Sequence, residues 1–371
     1  MMIQIREIPF RTTISGLTHS LSVIEYRHPK AKANIYMQAA LHAAESNGIA
    51  LIYLLRQYLK THDFPYNVTL VPFANPFAMD IKIGEYTYGR FDAKTGENWN
   101  RGFKNLLMPY GELPAIDLDA FVKAHQKQGF VVLCEQFLAL LRERLNACFQ
   151  HDNAPYEKLA NILHHLALNA DFSFDLHCDS ISVPYIYAPN YLQDERLRHF
   201  NSNAFILTPN EPSGCFNQAI FYPWWQLTEC WNNLTGEHKV PPKHAFTYEM
   251  GNKESFDLKN AETLLKGIIA YIKNTDIAKP HMPQYACLER DFFRIRAPMG
   301  GMVAYADHLL GGLQKPNTPL ATMYDKSSIL ALAEPQVLTL AQEALLLTRT
   351  SSATVHEGDE VLKVMTQCFE I

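Results

Sequence analysis

The segment running from Ala33 to Leu59 constrains this chain more than any other. Its first nine residues, ANIYMQAAL, are an apolar run of strand length, and Gly48 then opens a stretch in which Leu51, Ile52, Leu54, Leu55, Tyr58 and Leu59 recur at helical spacing. A strand, a short turn and a helix open a βα unit, which buries its apolar faces by adding further parallel strands. Asn67 to Phe73 (NVTLVPF) reads as a second strand, broken by Asn75-Pro76. Val131 to Phe149 and Tyr156 to Leu168 carry helical periodicity. Phe172 to Leu176 (FSFDL) and Ala245 to Met250 (AFTYEM) read as strands, the latter followed by a helix over Ala261 to Lys273. This alternation predicts a three-layer α/β domain with a largely parallel sheet, ending near residue 285. Residues 286–371 read differently. RIRAPMGGMVAYA, LLGGLQKPNTP and VHEGDEVLKVM are short β-prone runs punctuated by Gly and Pro, and only Ile329 to Leu347 keeps helical periodicity. They predict a separate β-rich C-terminal domain.

Composition narrows the class. The 371 residues are 47% hydrophobic and 19% charged with a formal net charge of -5, which allows a large core and shows no cluster of Lys and Arg suited to a phosphate backbone. No nucleic-acid partner is expected. The start, MMIQIREIPF, lacks the charged-then-apolar order of a secretory signal, and no apolar run approaches the roughly 20 residues of a membrane span. No membrane partner is expected, and a cytoplasmic location is the default. Seven cysteines are scattered without a CxxC pair, as fits reduced and mostly buried thiols.

The chemistry gathers at strand ends. His42-Ala-Ala-Glu45 follows the first strand, and a His and a carboxylate three residues apart can aim at one point. A lone HxxE is a weak signal, but this one stands at the carboxyl end of a predicted parallel strand, where open α/β sheets place their ligands. His177 stands just past FSFDL, so two strand ends deliver His, Glu and His, the ligand set of a catalytic zinc with one position left for water. Asp175, on the same strand face as His177, can orient that imidazole, with Asp179 an equal candidate and Cys178 pointing away as a core residue. A metal-bound water needs a base, and Glu249, placed at the end of AFTYEM before Gly251-Asn252, is the candidate. His164-His165 and Trp224-Trp225 read as structural pairs.

Five segments in order, LHAAESNG, FANPFAMD, GENWNRGF, DLHCDS and TYEMGN, resemble the zinc carboxypeptidase-like superfamily over roughly residues 35–252. Within it the chain is most similar to the succinylglutamate desuccinylase and aspartoacylase branch. The resemblance implies a three-layer α/β/α zinc carboxypeptidase-like (phosphorylase/hydrolase-like) domain over residues 1–285. It implies one Zn2+ per chain on His42, Glu45 and His177, with another divalent metal or a second ion left open. It further implies Glu249 as catalytic base, Arg90 of YGRF as the group that polarises the scissile carbonyl, and Asn100-Arg101 as the anchor for a free substrate carboxylate. Asn75 of FANPFA matches a position that is either structural or substrate-lining. The chain departs from the branch's acidic-Leu-Asn-Arg pattern by reading Asn98-Trp99-Asn100-Arg101, which leaves the identity of the substrate open. The tail, with APMGGMV and HEGDEV, resembles the biotinyl or lipoyl-like barrel-sandwich of some members, and is expected to shield the cleft or to form a homo-oligomer interface. The expected activity is hydrolysis of an amide bond next to a carboxylate in a small-molecule substrate, first of all deacylation of an N-acyl amino acid. A metallocarboxypeptidase acting on peptides or cell-wall fragments and a non-catalytic binding protein on the same fold are the alternatives.

Overall fold

The structure, a computed structural model, describes every residue except Met1, Asn153, Gln193, Asp194, 276–282 and His308. Its contacts divide the chain into two units, one formed by Met1–His177 with Asn210–Thr247, the other by Cys178–Pro209 with Tyr248–Ile371.

The first unit opens with an antiparallel pair, β1 (Met2–Thr12) and β2 (Thr18–Arg27). Then come β3 (Asn34–Ala39), α1 (Asn47–Thr61) and β4 (Asn67–Val71). Strand β3 lies between β4 and β5 (Phe172–Asp179), parallel to both, while β2 joins β4 antiparallel. The order is therefore β1-β2-β4-β3-β5. Strands β3 and β5 are buried along nearly their whole length, as expected of parallel strands covered on both faces. The entry into α1 depends on Gly48, where a Cβ would stand 2.7 Å from the Cβ atoms of both Ala39 and Leu176. Glycine lets the helix begin directly against β3 and β5. Helices α2 (Pro76–Met79), α3 (Leu118–His125), α4 (Phe130–His151), α5 (Pro155–Ala167) and α6 (Phe216–Thr235) complete the unit. Val122, Phe137, Leu141, Trp224 and Trp231 form one core cluster of α3, α4 and α6, which places Trp224 in the interior as expected.

Strand β5 and strand β6 (His244–Asn252) each belong to both units, the divisions falling between His177 and Cys178 and between Thr247 and Tyr248. Glu249 lies inside β6 and not at its end, because the extended backbone continues through Gly251 to Asn252. His177 likewise sits within β5 instead of beyond it.

The second unit holds parallel strands Tyr185–Pro189, Ala204–Thr208 and Tyr285–Leu288, with the helix Leu258–Lys273. Its β-rich part consists of two antiparallel sheets, one built on Phe292–Arg296, Glu360–Thr366 and Ala344–Arg349, the other on Gln336–Leu338, Ala321–Tyr324 and Gly301–Tyr305. Val303, Leu320, Met323, Leu346 and Leu362 form their common core, the arrangement of a sandwich. The helical expectation for Ile329 to Leu347 is corrected here. The helix covers only Lys326–Ala331, and Pro335 separates it from strands Gln336–Leu338 and Ala344–Arg349. Proline cannot continue the helix, and the apolar run Ala344–Leu347 packs as a sandwich strand. Among the described residues no helix is long and apolar enough to cross a membrane.

Candidate metal centre

The turn that leaves β3 is held in an uncommon backbone. Ala40, fully buried, has φ +58°, a left-handed conformation costing an alanine roughly 1–2 kcal/mol. Two contacts hold it there: Ala74 N donates to Ala39 O at 2.8 Å, and Asn75 Nδ2 donates to Leu41 O at 3.2 Å. Asn75 Oδ1 meanwhile accepts from Ala78 N and caps α2. Both ends of this buried amide are thus engaged in the backbone that delivers His42.

His42, Glu45 and His177, all buried, bring one ligand atom each within 4.8 Å of one another, so this group could hold a metal ion. His42 Nδ1 lies 3.1 Å from Glu45 Oε1, and His177 Nδ1 lies 2.6 Å from Glu45 Oε2. The far nitrogens are tied from behind. His42 Nε2 is 2.8 Å from Asn98 Oδ1 and His177 Nε2 is 2.7 Å from Asp175 Oδ2. The outer nitrogens donate to Asn98 Oδ1 and Asp175 Oδ2, which fixes both rings with Nδ1 turned toward the shared Glu45 carboxylate. Two imidazoles, one carboxylate and outer hydrogen bonds that fix each ring make a donor set that fits a divalent ion.

A buried relay supports Asp175. On adjacent strands Gln38 and Asp175 are register partners; Gln38 Nε2 donates to Asp175 Oδ1 at 2.7 Å, and Tyr36 Oη donates to Gln38 Oε1 at 2.8 Å. Asn100 reaches the same place, its Nδ2 standing 3.3 Å from Asp175 Oδ2 and from His177 Nε2, while its Oδ1 accepts from Phe216 N. Asn98 Oδ1 also accepts from Asn100 N, so one short turn serves both histidines.

Electrostatics follow from this crowding. Burial lowers the His42 pKa below its ordinary value, with Glu45 opposing. Burial alone would raise Glu45, but His42 and His177 hold its carboxyl well below the usual carboxylate range. For His177 burial works downward, yet Asp175 and Glu45 on its two sides push it well above the usual histidine value.

Arg90 reaches the trio from its rim. Its Nη1 lies 3.2 Å from Glu45 Oε1 and 3.3 Å from His42 Nδ1, while 55% of the side chain stays exposed. Arg101 is exposed, and its Nη1 donates to Asn100 O and to Cys215 Sγ. The structure thus gathers His42, Glu45, His177, Arg90 and Asn100 in one unit, with Arg101 beside them and Asn75 behind the turn. Asn100 is enclosed in the support of His177, and Trp99 is fully buried beside Phe10 and Phe77. Glu249 belongs to the second unit, where it is half-buried and its charge bears on Tyr187, Tyr185 and Lys363. Asp179, the other candidate for orienting His177, instead pairs with Lys363 at 2.5 Å and Tyr185 at 2.6 Å. The residue that sequence reasoning passed over is Asn98, visible there only as a departure from a pattern.

The succinylglutamate desuccinylase/aspartoacylase catalytic domain matches residues 31–111. A succinylglutamate desuccinylase/aspartoacylase family protein from Shewanella amazonensis SB2B shares 30% identity with a TM-score of 0.91, over 99% of this chain and 100% of its own. A similar protein from Shewanella frigidimarina NCIMB 400 shares 28% identity with a TM-score of 0.90, over 99% and 98%. The product-bound ectoine utilization protein EutE (DoeB) from Ruegeria pomeroyi has the same fold at 14% identity and a TM-score of 0.65, over 99% and 95%. Comparison with curated proteins finds no match.

Proposed function

Because the chain belongs to the succinylglutamate desuccinylase/aspartoacylase family, we propose that it is a zinc-dependent hydrolase that deacylates an N-acyl amino acid, cleaving an amide bond next to a carboxylate. The observation that carries this reading is the convergence of His42, Glu45 and His177, each imidazole fixed from behind by Asn98 or Asp175. A bound zinc ion supplies Lewis acidity and a water of lowered pKa. The chain's own residues do the rest. Arg90, cationic and exposed beside Glu45, places fixed positive charge where a carbonyl oxygen would gain negative charge. Arg101 presents a guanidinium fork suited to a substrate carboxylate. Glu249 takes the proton from the attacking water and returns it to the leaving amine. In this reading residues 1–285 carry the chemistry and 286–371 form an accessory domain that shields the cleft or pairs chains.

The test combines metal content with turnover on a panel of N-acyl amino acids and short peptides. Purified protein should hold about one equivalent of divalent metal, lost in His177→Ala, and Glu249→Gln should lower kcat about 100-fold or more with the metal retained. Less than one equivalent in the wild type, or unchanged turnover in Glu249→Gln, would falsify the reading.

A further inference from the structure

We propose that the β-rich part of the second unit carries a separate binding site for a free, zwitterionic amino acid with an apolar side chain. A cavity of about 490 Å³ lies there, lined by residues of both antiparallel sheets. Val303, Leu320, Leu346 and Leu362 form its apolar walls, and all four are buried. Interiors pack to the density of organic crystals with few voids larger than a water, so a space of this size among core leucines is a pocket by construction. Its volume falls in the range of small-molecule sites, roughly 300–1,000 Å³.

Two charges line the same cavity. Arg349, at the end of strand Ala344–Arg349, is half-buried with its guanidinium 5.0 Å from the ring centroid of Tyr305. Its guanidinium makes no hydrogen bond or ion pair among the described residues, the contact with Tyr305 being electrostatic. Asp307, exposed and sharing the lining with Ser351 and Ser352, likewise makes no side-chain hydrogen bond or ion pair among the described residues. Opposite charges that share a cavity and do not meet leave room for a ligand that bears both signs. A carboxylate suits the planar fork of Arg349, an ammonium suits Asp307, and an apolar side chain suits the leucine walls. A simple fatty anion would set its carboxylate against Asp307 with nothing gained, and a cation alone would leave Arg349 unused.

The test is isothermal titration calorimetry on the full-length protein with L-leucine and L-phenylalanine, and with N-acetyl-L-leucine and L-leucine amide as probes that each lack one charge. We expect one saturable site for the free amino acids in the wild type and in Arg101→Met, which removes the proposed substrate anchor at the metal centre. Affinity should fall about tenfold or more in Arg349→Gln and in Asp307→Asn, as loss of a charge-assisted contact implies. Asp307 is exposed, so its substitution leaves folding intact. The proposal is overturned if neither amino acid binds at millimolar concentration, if binding survives both substitutions, or if it is lost only in Arg101→Met. Equal binding of either singly charged probe in Arg101→Met would also overturn it. No turnover is read, so the outcome is independent of the hydrolase reading.

Discussion

Asn98 and Asp175 hold the far nitrogens of the two imidazoles that face Glu45, and they do so with different charge. Asp175 adds a full carboxylate to one side of His177 and makes it more basic, whereas the Asn98 amide only orients His42. Asp175→Asn should therefore weaken metal binding about 10- to 100-fold. Competition with a chromogenic chelator measures this, and an unchanged affinity would remove Asp175 from the design of the site. The pairing of Asp175 with His177 was legible, because residues two apart on a strand share a face. Asn98 was not. It meets His42 across 56 positions of chain, through a single turn whose direction is set by the contact of Asn100 with Phe216 and of Gly214 with Arg101. There is no room at Gly214 for a Cβ, which would stand 2.8 Å from Arg101 O.

Helix α5 shows what burial does to an ordinary residue. His164 is 1% exposed, and its Nδ1 finds no hydrogen-bond partner among the described residues. Burial, helped by His165, lowers its pKa from 6.5 to about 4. The unfolded chain takes up this proton near pH 6.5 and the folded one only near 4, so stability falls as pH drops through that window, by roughly 3 kcal/mol across it. Denaturant unfolding at pH 7 and pH 4.5 should show this loss in the wild type and a smaller one in His164→Leu, and parallel losses in both proteins would refute it. Elements with strong periodicity, such as α1, α4 and the helix Leu258–Lys273, followed from sequence. The pair β1 and β2 did not: Ile3 and Ile5 share one face of β1 but are exposed, and Ile8 lies on the other, so the period-2 apolar signal is weak. The segment Ile329–Leu347 failed for the opposite reason, since an apolar run in a sandwich can mimic a helix until a proline divides it.

At the scale of the whole molecule, stretches far apart in sequence meet inside the second unit. Lys363, from strand Glu360–Thr366, pairs with Asp179, and both side chains are about nine-tenths buried. Burial would raise the Asp179 pKa, but Lys363 holds it below the usual range; burial would lower Lys363, but Asp179, Glu249 and Glu360 hold it above. The stabilisation is complete at neutral pH, and is lost as pH falls below about 3.8 or rises above about 10.5. Lys363→Met leaves Asp179 uncompensated, with a cost of about 2–3 kcal/mol in denaturant unfolding at pH 7; a smaller change than 1 kcal/mol (about the value of an exposed pair) would show that the ion pair is solvated. By itself the sequence determined the alternation of strands and helices, the candidate residues His42, Glu45 and His177, and the β-prone character of the C-terminal segment, because periodicity and short spacing are local properties. Only the tertiary structure decided that Asn98 and not an acid supports His42, that Asn75 is enclosed against the backbone of Leu41 and Asn100 against His177, and that Arg349 and Asp307 share one cavity. Those facts depend on packing between segments far apart in the chain, which no local pattern encodes.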